Sequence, residues 1–271
     1  MITAMPRIAI AVRDFDAAVG TFRDAVGMPV VDFSEQTVPS LGAHVGMCMP
    51  VGGSNIELMA PADGGQPLSQ ALGKFLDRRG DGLYALMLEA PDPDAEALEL
   101  ASRGLEVLPL MRGAGGRDVH PRSTHGVLVR VYPEDSVPAL DVAGRGDPCL
   151  SGVVKVIIAT PDASLAAKTY GEGFGLDTGP VVDDEERGVV CVKCRPPKGG
   201  LIELVSAVDV TKPFAAAIAS CVKEQSGGMH ALVLSADDAS RAAARLAERG
   251  LITRGAGQPE VMLFGARLLI D

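Results

Sequence analysis

Charged side chains interrupt otherwise apolar stretches of this 271-residue chain at matching places. Arg7 opens Arg7-Ile-Ala-Ile-Ala-Val-Arg-Asp14, and a second cation opens Lys155-Val-Ile-Ile-Ala-Thr-Pro-Asp162. A carboxylate sits inside Ile56-Glu57-Leu58-Met59 and again inside Ile202-Glu203-Leu204-Val205. Burying a carboxylate without a cation is strongly disfavoured, so each Glu needs a partner. Cys191-Val-Lys-Cys194 has half the ligands of a zinc site. It lies in a strand-like run, however, and residues three apart on a strand point to opposite faces, which favours a structural reading. His120-Pro-Arg-Ser123 lies in a stretch made basic by Arg112, Arg117 and Arg122, which reads either as a resting place for a phosphate or carboxylate tail or as a solvated surface loop. Gly113-Ala-Gly-Gly116 reads as a turn, since no strand-to-helix transition follows it. No phosphate loop, nucleophile elbow or dinucleotide fingerprint stands in a suitable context.

The elements that must carry these residues repeat. Val26-Gly27-Met28 recurs as Phe174-Gly175-Leu176, Gly82-Leu83-Tyr84-Ala85-Leu86 as Gly228-Met229-His230-Ala231-Leu232, and Arg103-Gly104-Leu105 as Arg249-Gly250-Leu251. A duplication this regular limits the fold. Residues 7–12 read as a strand. Asp14 is a plausible N-cap, Phe15, Val19, Phe22 and Val26 follow at helical spacing, and Gly27 ends the helix. Three short strands follow near 29–33, 44–49 and 54–60. The same order restarts at Gly82, with strands near 105–108, 117–120 and 126–132 after a helix, and again at Gly152 and Gly228. The prediction is therefore an α+β chain of four βαβββ modules in tandem. The first half spans 1–133 (modules 6–61 and 82–133), a Pro- and Gly-containing linker spans 134–150, and the second half spans 151–271 (modules 151–207 and 228–271). A shorter polar connector with Pro61, Gly64, Gly65 and Pro67 separates the first two modules.

The composition narrows function. Net charge is −10, which speaks against nucleic acid as a partner, though a small anion needs only a local basic cluster. Aromatics make up 4% against 47% hydrophobic residues, so the core must be aliphatic. No apolar run reaches membrane-spanning length and no signal-peptide profile opens the chain, so a cytoplasmic protein is expected. Five scattered Cys (48, 149, 191, 194, 221) fit reduced thiols better than a disulfide framework.

Four such modules in series resemble the vicinal oxygen chelate (glyoxalase-like) superfamily, over essentially the whole chain. The resemblance is strongest to the methylmalonyl-CoA epimerase branch. Its first strand resembles Arg7-Ile-Ala-Ile-Ala-Val, its fourth Ser54-Asn-Ile-Glu-Leu-Met-Ala-Pro61, and its closing segment His120-Pro-Arg-Ser-Thr-His-Gly-Val-Leu-Val-Arg130. The resemblance implies two open barrels, each made by two modules curling their sheets around one cavity. It also implies a divalent metal. The four ligand positions fall on Arg7, Glu57, Ala85 and Arg130 in the first half, and on Lys155, Glu203, Ala231 and Leu269 in the second. One ligand-type residue in four will not hold an ion. The expectation is no metal and no other cofactor, with an ion pair, Arg7–Glu57 or Lys155–Glu203, in the vacated ground. Arg130 would add a second positive charge to the first cavity. The alternative is that these pairs only fill and staple the sheet.

The first functional reading is a metal-independent enzyme that performs isomerase- or lyase-like proton transfer on a small carboxylate or acyl thioester. Arg7 and Arg130 would hold developing negative charge and Glu57 would act as base or orienter. His44 could be a base if it turns inward. Tyr84, His120, Arg122, Lys155 and Glu203 are the substrate-binding candidates, although alternation points Tyr84 and His230 away from the ligand positions. The rival readings are a non-catalytic sequestering protein and a degenerate partner subunit. A homodimer is compatible with either. Whether the first module pairs with the second or the fourth stays open.

Overall fold

The computed structural model describes residues 1–35, 41–111, 113, 115–137, 150–255 and 258–271. Arg112, Cys149 and most of the expected linker (138–149) lie outside the described residues. Module one has β1 (Ala4–Ala11), α1 (Phe15–Gly20, widening into a π-turn over Thr21–Val26), β2 (Val30–Asp32), β3 (Ala43–Cys48) and β4 (Asn55–Pro61). After α2 (Pro67–Arg79), module two has β5 (Gly82–Ala90), α3 (Pro93–Ser102), β6 (Arg117–Val119) and β7 (Leu128–Pro133). Module three has β8 (Val153–Ala159), α4 (Ala163–Lys168), β9 (Asp177–Thr178), β10 (Val182–Asp184), β11 (Val189–Arg195) and β12 (Leu201–Ala207). After α5 (Pro213–Gln225), module four has β13 (Gly228–Leu234), α6 (Ala239–Glu248), β14 (Thr253–Arg254), β15 (Glu260–Leu263) and β16 (Ala266–Ile270). The strand expected near 105–108 is only an isolated bridge, Val107 to Val119.

Each module helix starts the same way. Asp14, Asp92, Asp162 and Asp238 are N-caps whose side chains accept from backbone N–H groups of the first turn. Among the described residues the strands form two sheets, in order β2-β3-β4-β1-β5-β7-β6 and β10-β11-β12-β8-β13-β16-β15-β14, with β9 beside β11. Neither sheet closes into a barrel. The β1–β5 pair joins modules one and two edge to edge, and β8–β13 joins three and four. Within the sheets, then, the first module pairs with the second. The duplication extends to register: Arg130 stands beside Met87 on β5, and Leu269 stands beside Val233, the counterpart of Met87 on β13.

The connector between modules one and two is not merely polar and short: it is the 13-residue helix α2, and α5 is its counterpart. Pro67 at its first turn needs no N–H partner, and Leu68, Leu72 and Leu76 recur every four residues on one face. Gly80, at φ +72, ends it. That face packs into the hollow of the first sheet against Ala9, Val45, Met59 and Ala85. Ala215 and Ile218 of α5 fill the second hollow against Ile157, Val205 and Ala231. The expected open cavities are therefore partly occupied by the chain's own helices.

The opposite faces of both sheets share one core, in which Ile8, Phe22, Leu58 and Leu88 of the first half join Val156, Phe174, Leu204 and Leu232 of the second. Backbone bonds also cross between halves, Ser54 N to Val153 O and Val153 N to Ser54 O, each at 2.9 Å. At Gly199, φ +93, a Cβ would lie 2.2 Å from the Met5 carbonyl oxygen, so only glycine permits this approach. Cys191 and Cys194 do face opposite ways, into the second hollow and the shared core respectively. Among the described residues no helix is long and apolar enough to cross a membrane.

Candidate functional site

Alternation along β1, β4, β5 and β7 turns Arg7, Glu57, Met87, Arg130 and Tyr132 toward the hollow side of the first sheet. Arg7 is 4% exposed and donates from Nε to Glu57 Oε2 at 3.1 Å. Its Nη1 donates to Ser136 Oγ at 2.7 Å, and that hydroxyl donates to Glu89 Oε1 at 2.6 Å. Burial pushes the Arg7 pKa down, but Glu57 and Tyr132 outweigh it, so the net shift is upward and the group stays charged. The Tyr132 ring lies between two guanidinium groups, 4.4 Å from Arg7 and 5.2 Å from Arg130. Burial raises its pKa.

Arg130 is the unusual member. It is buried, and its Nη1 lies 3.5 Å from Asp118 Oδ1 across the β6–β7 pair. Among the described residues its Nε and Nη2 have no hydrogen-bond partner, and neither has Asp118 Oδ1. Burial raises the Asp118 pKa, with Arg130 opposing. Gly116 covers the group so closely that a Cβ there would come 3.0 Å from Nε.

The other expected residues are placed differently. His44 is a correction: it is exposed on the far face of β3, stacked on Phe15 at 5.3 Å, because Val45 and Met47 take the inward positions. Tyr84 is a second correction, to the alternation argument. The β1–β5 register jumps between Ala9–Ala85 and Ile10–Leu83, so Tyr84 is the extra residue of a bulge. The bulge turns it to the same side as Ala85, edge-on to Phe75 of α2 at 5.1 Å. Burial pushes its phenol up to about 12. His230 is the matching bulge residue, edge-on to Phe214, and its Nε2 lies 2.9 Å from Arg267 Nη1. Burial, reinforced by Arg267, drives its pKa down to about 4. His120 accepts a bond from Arg122 N at its Nδ1, while the Arg122 side chain is largely exposed, 3.7 Å from Glu106. Tyr84 and His120 line one cavity, from which Arg7 and Glu57 are absent.

In the second half Lys155 Nζ lies 3.9 Å from Glu203, but Lys155 is not the principal partner. Arg187, in the turn before β11, donates to both Glu203 oxygens at 3.0 and 3.1 Å. Its Nε donates to Asp184 at 2.6 Å. Sequence reasoning missed Arg187, Asp118, Glu89 and Ser136. The alternation of Asp118 with Arg117 and Val119 on so short a strand gave little to read. Arg187 lies in Asp183-Asp-Glu-Glu-Arg187, which reads as a solvated turn.

Residues 7–120 match the Glyoxalase/Bleomycin resistance protein/Dioxygenase superfamily. No curated protein matches the chain by sequence. A mutant of 4-hydroxymandelate synthase from Streptomyces coelicolor is similar over 99% of this chain and 92% of its own, with a TM-score of 0.68 at 15% identity. Methylmalonyl-CoA epimerase from Mycobacterium tuberculosis is 30% identical, covering 52% of this chain and 92% of its own, with a TM-score of 0.42. A point mutant of the Streptomyces coelicolor epimerase in complex with 2-nitronate-propionyl-CoA is 26% identical, covering 52% of this chain and 100% of its own, with a TM-score of 0.43. The divalent metal that the resemblance implies does not fit the side chains at the corresponding positions. Two of the four in the first half are guanidinium groups, and among the described residues no three His, Cys, Asp or Glu gather as a ligand set.

Proposed function

The chain belongs to the glyoxalase/bleomycin resistance protein/dioxygenase superfamily, and from that premise we propose that its first half binds a small carboxylate or acyl thioester without a metal and transfers a proton on it, as an isomerase or lyase does. One observation carries this reading: Arg130 is 5% exposed, yet among the described residues two of its guanidinium nitrogens, Nε and Nη2, have no acceptor. Leaving a buried donor unsatisfied costs about 1–3 kcal/mol, so such donors point to a missing partner. The planar guanidinium edge suits a carboxylate or an enolate oxygen, and it would do electrostatically what a Lewis acid does elsewhere.

Glu57 is held by Arg7, so its role is to orient that cation rather than to take a proton. Asp118 Oδ1, 3.5 Å from Arg130 Nη1 and without a hydrogen bond among the described residues, is the proton acceptor. The C–H electrons pass into the adjacent carbonyl, whose oxygen Arg130 stabilises. Return of the proton to the carbon gives an isomer, and departure of a β-substituent completes a lyase reaction.

The test is thermal-shift titration with succinate, malonate and propionyl-CoA, followed by α-carbon deuterium exchange in heavy water. We expect a stabilising ligand in the native chain, no shift in Arg130→Met, and exchange lost in Asp118→Asn. An equal shift in Arg130→Met overturns the site. Stoichiometric zinc, cobalt or manganese in purified protein overturns the metal-independent reading. Binding without exchange leaves a sequestering protein.

A further inference from the structure

A cavity of about 460 Å³ opens between α2, the starts of β5 and β7, and the turn from His120 to Gly126. Its floor is apolar, made by Phe75, Leu83, Leu108 and Leu128 with the ring of Tyr84. Met229 of the second half closes one side. Its rim carries Lys74, Arg78, Arg79 and His120, and among the described residues no Asp or Glu lines it, in a chain of net charge −10.

The side chains at its rim are mainly cations and donors, with the Glu106 carboxylate 4.0 Å from His120 Nδ1. His120 Nδ1 accepts from the Arg122 backbone N–H at 3.0 Å, so the neutral ring carries its proton on Nε2. The Tyr84 hydroxyl stays protonated, since burial holds it well above neutral pH. A rim rich in cations over an apolar floor favours an anionic head on an apolar body, and the volume lies within the range of small-molecule sites. The space is shaped by both halves. An adjoining cavity of about 450 Å³ shares Phe75, Arg79, Leu83 and Met229 with it and runs toward Cys221 and His230. Arg79, on the shared wall, donates to Gln225 across the seam at 3.1 Å.

We propose that this cavity is a second ligand site, distinct from Arg130, for an amphipathic anion: a carboxylate or phosphate monoester whose head sits among Lys74, Arg78 and His120 and whose apolar body lies over Phe75 and Tyr84, against Met229. The proposal does not depend on proton transfer at Arg130.

Calorimetric titration of the full chain with octanoate, octyl phosphate and uncharged octanol tests it. Octanoate or octyl phosphate is expected to bind at least tenfold more tightly than octanol, and the stronger of the two identifies the head group. The exposed pair Lys74→Glu with Arg78→Glu should weaken that binding tenfold or more. Met229→Trp should abolish it by filling the cavity, with unchanged circular dichroism as the check on folding. Octanol binding as tightly as the anions, or an unchanged affinity in the double charge reversal, overturns the proposal. Loss of octanoate binding in Arg130→Met would place the anion at Arg130 and overturn it as well. Absence of α-carbon exchange, by contrast, bears only on the Arg130 reading.

Discussion

The two halves bury the same carboxylate at the same register and neutralise it differently. Glu203 is 1% exposed and receives both Nη groups of Arg187, with Lys155 nearby and Asp184 holding Arg187 in turn. Glu57 receives one bond from Arg7, a strand residue as buried as itself. In the second half Leu269 stands where the first half has Arg130. One sheet therefore closes its charges into a balanced set, and the other keeps a cation with two unpaired donors. Duplication preserved the carboxylate and the aliphatic frame. It did not preserve the buried guanidinium with unmatched donors, and that is the physical reason for placing chemistry in the first half.

The comparison breaks most easily at the two carboxylates. Glu57→Gln takes away the negative charge facing buried Arg7 and leaves it a neutral amide oxygen, Ser136 and the face of Tyr132, and uncompensating one partner of a buried ion pair costs about 3–5 kcal/mol. Glu203→Gln leaves Arg187 paired with Asp184 and with its side chain 29% exposed to water. Its loss should be nearer 1–3 kcal/mol, the cost of hydrogen bonds to a charged group. Urea unfolding midpoints measure both. Equal losses, or a larger loss at Glu203, would mean that the turn cation is as dry as the strand cation.

The frame was legible because it rests on short-range signals that the duplication states twice. Asp14 caps a helix, Gly27 ends its π-turn, and the apolar runs from Arg7 and Lys155 are central strands. The Arg7–Glu57 contact was legible too, because a buried Glu demands a cation and the resemblance put both at one place. Three features were not. The bulge at Tyr84 adds one residue to β5 without any glycine to mark it, so strict alternation misplaced the ring. The helix α2 hid behind Pro and Gly residues that mark a loop, although Leu68, Leu72 and Leu76 carry its period. Arg187 reaches Glu203 from a turn 16 residues away, a tertiary contact that no local pattern encodes.

The bulge residues sharpen the comparison through pH. Unfolded, His230 titrates near 6.5; folded, near 4. Between those values the unfolded chain holds a proton that the folded chain lacks, so stability rises with pH through the window and is lost on acidification. The whole span is worth about 3 kcal/mol. His125, whose pKa burial also lowers, adds a smaller term of the same sign. Tyr84, the counterpart of His230, acts at the other extreme: its raised pKa means stability lost as pH climbs from about 10 toward 12. His230→Gln should flatten the unfolding midpoint between pH 4 and 6.5 and leave the alkaline limb in place. An unchanged acid limb would mean that His230 takes up its proton in the folded state near the unfolded value.

The smallest effect on stability is the most informative about function. Converting the first half toward the second, by Arg130→Leu with Asp118→Val, removes the orphaned donors and the orphaned acceptor together. Replacing a buried ionic pair with apolar side chains of similar size is often neutral or stabilises by about 1–4 kcal/mol. With the two groups only 3.5 Å apart and partly compensating, the lower end is expected, about 0–2 kcal/mol in favour of the variant. The same variant should lose any carboxylate-dependent shift in melting temperature. Stability gained and binding lost together are what a binding group kept at a cost to the fold predicts. A variant that loses several kcal/mol would instead make Arg130 and Asp118 a second staple like Arg7–Glu57, and the two halves would then differ only in how they hold themselves together.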